Sequence, residues 1–162
     1  MNLKKEIVKA VLARFRTIHT PDYHTDLGDH FYLFRSGAFQ DHELPAGNII
    51  VGDSDPDGEF VTSDQNVTDY LLNLRVDLFC KSGSTSWEQL EDMIADVKKA
   101  IGVNDRWTAA APLLTADIVT TVPGKETVIM EEEGAGVQLL YIVAGGTIDF
   151  TIHFRTDKWA EE

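Results

Sequence analysis

Two stretches of this chain alternate so regularly that only an extended backbone accommodates them. In YLLNLRVDLFCK the even positions Tyr70, Leu72, Leu74, Val76, Leu78 and Cys80 are apolar, while the odd ones include Asn73, Arg75, Asp77 and Lys81. In TIDFTIHFRT, Ile148, Phe150, Ile152 and Phe154 alternate with Thr147, Asp149, Thr151, His153 and Arg155. A period of two places successive side chains on opposite faces of a strand. Each stretch therefore predicts a strand buried on one face and solvated on the other, the habit of antiparallel sheets. Cys80 falls on the buried face as a small core residue.

Two other segments carry the helical period. Leu3, Ile7, Val8, Val11, Leu12, Phe15 and Ile18 recur at steps of three and four, and Thr20-Pro21 stops the pattern because proline disfavours a helical residue before it. In SWEQLEDMIADVKKAIG the apolar positions are Trp87, Leu90, Ile94, Val97 and Ile101. Thr85 or Ser86 stands at the N-cap with Glu88 or Gln89 three residues on, and Gly102 suits the C-cap. The last third predicts a β-meander of four strands, ADIVTTV, ETVIMEE, VQLLYIVA and TIDFTIHFRT, divided at Pro123-Gly124, Gly134-Ala135-Gly136 and Gly145-Gly146. FYLFR at 31–35 and NIIV at 48–51 are short strand candidates, and 52–69 predicts a long acidic loop. The sum is an α+β fold: one antiparallel sheet of about five main strands, with a C-terminal meander and two amphipathic helices on one face. A length of 162 residues suits one domain over 1–162.

Charge narrows the function. There are 27 Asp and Glu against 14 Lys and Arg, a net charge of -13, which argues against duplex-DNA binding by phosphate neutralisation. No run approaches the ~20 apolar residues of a membrane span, and the charged N-terminus does not mass into a signal core. One cysteine excludes a disulfide framework and a multi-cysteine zinc site. The charge is also uneven. Residues 2–17 hold Lys4, Lys5, Lys9, Arg14 and Arg16 against Glu6, whereas 52–69 holds Asp53, Asp55, Asp57, Glu59, Asp64 and Asp69 without a cation.

The sharpest local motif is DSDPDGEFVTSD at 53–64. Asp53, Asp55, Asp57 and Gly58 reproduce the opening of an EF-hand loop, with Glu59 at a backbone-ligand position, the spacing a hard oxygen-seeking cation requires. Two features depart from it: Asp64 replaces the long bidentate Glu, and NIIVG before the loop is strand-like. His19, His24, His30 and His42 lie among Asp22, Asp26, Asp29 and Asp41, but their spacings put no pair on one helix face and suit surface residues. No nucleophile elbow, Walker loop, dinucleotide fingerprint or His-Glu-x-x-His is present, so nothing in the residues points to an enzyme or a cofactor. Glu131-Glu132-Glu133 suits a strand end guarded against unwanted pairing. Asn66-Val67-Thr68 is a chance match to a glycosylation acceptor.

Taken together, KKEIVKAVLARF, the variable acidic middle, LLNLRVDLFCK leading straight into SWEQLEDMIADVKKAIG, and GVQLLYIVAGGTIDFTIHFRT closing on Phe154-Arg155-Thr156 resemble the tail terminator, or tail completion, proteins of long-tailed, non-contractile bacteriophages. The likeness is one of element order and omits residues 36–69. It implies a structural virion protein, assembled in the host cytoplasm as a hexameric ring that caps the tail tube. Such a ring ends tube polymerisation and meets the head-tail connector, while DNA passes through without specific binding. A ring needs a heterologous interface. Lys4, Lys5 and Lys9 against Asp53, Asp55 and Asp57 are the candidates by charge, and Asp77 and Asp149 are lumen candidates. The competing expectations are a calcium-stabilised binding module built on Asp53, Asp55, Asp57, Glu59 and Asp64, and another phage tail role, as a tube or head-tail connector subunit.

Overall fold

The two alternating stretches pair with each other. In the computed structural model, which describes residues 3–36, 39–56, 67–81, 83–103, 107, 118–130 and 143–157, they are β3 (Val67–Lys81) and β5 (Val143–Asp157). Their antiparallel register runs from Val67↔Asp157 to Lys81↔Val143. Directly opposed residues share a face. Leu72 with Ile152, Leu74 with Phe150 and Val76 with Ile148 therefore form one buried apolar strip. Around this pair stand β1 (Phe31–Leu33), β2 (Ala46–Pro56) and β4 (Ile118–Met130), giving the order β1-β2-β3-β5-β4. Every neighbouring pair is antiparallel except β1 with β2. The fold is α+β with a mixed, mostly antiparallel sheet.

Two helices cover the buried strip. Helix α1 (Leu3–Phe15) buries Ile7, Val8, Val11 and Phe15 and packs beside β1, while α2 (Ser86–Val103) lies over β3, β5 and β4. Leu90, Met93, Ile94, Val97 and Ala100 of α2 join the same core as α1 and the even positions of β3 and β5. Phe15 sits where the layers meet. Its ring lies 5.0 Å from Phe31, 6.1 Å from Trp107 and 6.1 Å from Phe150. Trp107 is fully buried, donates from Nε1 to Thr121 Oγ1 at 2.7 Å, and has the Arg14 guanidinium 4.0 Å above its ring. A tryptophan buried with its one donor satisfied contributes its whole apolar area without a polar penalty.

Parallel neighbours need a crossover rather than a tight turn. The connection from β1 to β2 crosses the face away from the helices, where Phe39 packs on Phe79 at 5.1 Å and Tyr32 at 5.6 Å. Part of that face is thus covered by a small aromatic cluster, and neither α1 nor α2 lies over the remainder.

Several expectations change here. The four-strand meander is, among the described residues, two long strands. Pro123-Gly124 lies inside β4 and Gly145-Gly146 inside β5, while 131–142, with the Glu131–Glu133 run, lies outside the described residues. Proline is tolerated at 123 because β4 is the sheet edge, and the register slips between Pro123 and Glu126. Gly146 lies under α2: a Cβ there would stand 3.2 Å from Thr127 O, 3.7 Å from Leu90 and 3.9 Å from Ile94. It marks a close approach rather than a turn.

The acidic loop is shorter than 52–69, because β2 runs to Pro56 and β3 starts at Val67, with 57–66 outside the described residues. On α2, Trp87 is 58% exposed while Met93, Asp96 and Ala100 are buried, and the helix runs through Gly102 to Val103. Thr85 precedes its first residue and its carbonyl accepts the Gln89 N–H.

Replacing Phe15 with Ala removes the ring that three elements share. We expect a loss of about 3–5 kcal/mol of stability, read as a drop in denaturant midpoint with an unchanged slope.

Candidate functional site

The surfaces open to assembly are the candidate site. The sheet face turned away from α1 and α2 is built by the odd positions of β3 and β5. Asp77 and Asp149 both stand on it, as their alternation requires, with Arg75 between them: Arg75 is directly opposite Asp149 in the register. Its Nε donates to Asp77 Oδ1 at 2.8 Å. Asn73 accepts from Thr151 Oγ1 at 3.0 Å. At the strand end Asp69, expected in a cation-free loop, accepts the Arg155 fork at 2.6 and 3.1 Å. The face is therefore one of alternating, mutually held charges rather than a sheet of carboxylates. Such pairs contribute little stability at a surface, but they hold the guanidinium groups to the protein.

The other sequence candidates stand on separate elements. Lys4 is half-buried, Lys5 and Lys9 are exposed on α1, and Lys9 pairs with Glu6 at 3.0 Å. Asp53 and Asp55 are exposed on β2, beyond a register shift between Val51 and Ser54. An extended strand does not wrap a cation as an EF-hand loop does, which corrects the loop reading for these two. Asp57, Glu59 and Asp64 lie outside the described residues. Among the described residues no group of three His, Cys, Asp or Glu is placed to hold a metal. Cys80 is buried and its thiol pushed up to about 11 by burial, far from the thiolate needed for reaction.

Two polar knots that sequence patterning missed fix the irregular segments. Asp96 on α2 is fully buried. Its carboxylate accepts the N–H groups of His24 and Thr25 at 3.0 and 2.8 Å and the Thr25 hydroxyl at 2.7 Å, and His24 Nδ1 lies 2.9 Å away. Lys99, one turn on, donates to the Asp22 carbonyl. Together they pin the strap between α1 and β1 to α2. An open cavity of about 400 Å³ beside it is lined by His24, Asp26, Glu88 and Asp92 among others. His19 stands 3.5 Å from Asp29, and Thr20 holds the Asp26 carboxyl below its usual range by hydrogen bonds from its N–H and hydroxyl. Gly28 belongs to the same strap, since a Cβ there would lie 2.5 Å from the Arg16 carbonyl oxygen.

The second knot is centred on Arg35. Its guanidinium forks onto Glu43 at 2.8 and 2.9 Å and stacks on Tyr32 and Phe39 at 4.6 and 4.5 Å. The buried Asn48 side chain pairs with both the N–H and the carbonyl of Arg35 at 3.0 and 2.8 Å. The Arg35 fork, with the Gln40 N–H second, lowers Glu43 to about 2. No period in the sequence marks Asp96 or Asn48 for these roles, since the helical stripe Trp87, Leu90, Ile94, Val97 and Ile101 leaves Asp96 out and Asn48 only opens a short strand candidate.

Two outcomes follow. Asp96→Ala strands the donors of the strap and is expected to cost about 2–3 kcal/mol, read by thermal melts. Because the Glu43 carboxyl is depressed in the native state, its contribution is complete above its ordinary value of 4.5 and is lost as pH falls towards about 2. The gap in melting temperature between the native chain and Glu43→Gln should close across that window. Among the described residues no helix is long and apolar enough to cross a membrane. No model of a known protein family matches this chain, and a search of curated proteins finds no match to it.

Proposed function

We propose that this chain is a structural protein of the bacteriophage tail, of the terminator or completion type. In this role a ring of copies caps the tail tube, ends its polymerisation and offers a surface to the head-tail connector. The observation that carries the reading is the element order, helix, strand leading straight into helix, then long paired strands, which resembles that family over most of the chain. The one-sided layering supports it: among the described residues both α-helices lie on one face, and part of the other is polar.

A lumen through which DNA slides must not hold phosphates, because each cation that meets a phosphate releases counterions and adds affinity. Arg75 and Arg155 are engaged by Asp77 and Asp69 on that face, and the chain carries a net charge of -13. Both features suit passage rather than capture. The basic α1 surface and the acidic remainder of a neighbouring copy provide the opposite patches that a heterologous ring uses. The ring would form in the host cytoplasm and leave in the virion.

Purified chain added to polymerising tube protein of the same phage should shorten the tubes and decorate one end, as seen by negative-stain electron microscopy. Tube lengths that do not respond at any ratio of chain to tube subunit would rule this function out.

A further inference from the structure

We draw no further inference here: the strongest candidate, the open cavity at the start of α2 lined by Asp26, Glu88 and Asp92 beside His24, rests on an acidic cluster, and nothing in the structure shows what occupies it.

Discussion

Every other element hangs on the ladder between β3 and β5. Fifteen residues of β3 are held in unbroken register with β5, and a one-residue slip would turn the whole apolar set, Leu72 to Cys80 and Ile148 to Phe154, towards solvent. The buried face is what recruits α1 and α2, so the helices are consequences of the register. β2 adds to one side of the pair and β4 to the other, and both carry the irregularities, a register shift at Val51–Ser54 and two in β4. The central pair has none. Bulges collect where a strand has a neighbour on one side or lies near the rim, which leaves the load-carrying pair regular.

Irregular backbone is fixed here by buried polar side chains rather than by apolar packing alone. Asp96 satisfies the strap before β1, and Asn48 with the Arg35–Glu43 fork satisfies the crossover after it. Segments without ladder partners have backbone groups that burial would otherwise leave unpaired, at a cost comparable to a lost hydrogen bond for each. One carboxylate that accepts several donors at once is an economical remedy. It also ties the strap to α2, beside the bond that Lys99 makes to the Asp22 carbonyl.

These two knots bear on assembly. The crossover that Asn48 and Glu43 fix is the one that presents the exposed Phe34. On the sheet face turned away from α1 and α2, pairing of Arg75 with Asp77 and Arg155 with Asp69 takes guanidinium groups out of circulation for phosphates. A protein proposed to let DNA pass therefore relies on where its charges are paired as much as on their total.

The amino-acid order by itself determined both central strands and their buried faces, both helices, the core position of Cys80 and the α+β class, because each of these follows from a local period of two or 3.6. It also placed Asp77 and Asp149 on one solvated face, since alternation fixes a side. Tertiary structure decided the rest. Pro123-Gly124 and Gly145-Gly146 have the chemistry of turns, but an edge position and the close approach of α2 keep them within strands. Asp96, Asn48 and the fully buried Trp107 acquire their roles from partners 13 to 72 residues away, which no local period encodes. The pairing of Asp69 with Arg155 and the exposure of Trp87 and Phe34 were likewise set by register and layer order, because burial depends on which element arrives over a residue.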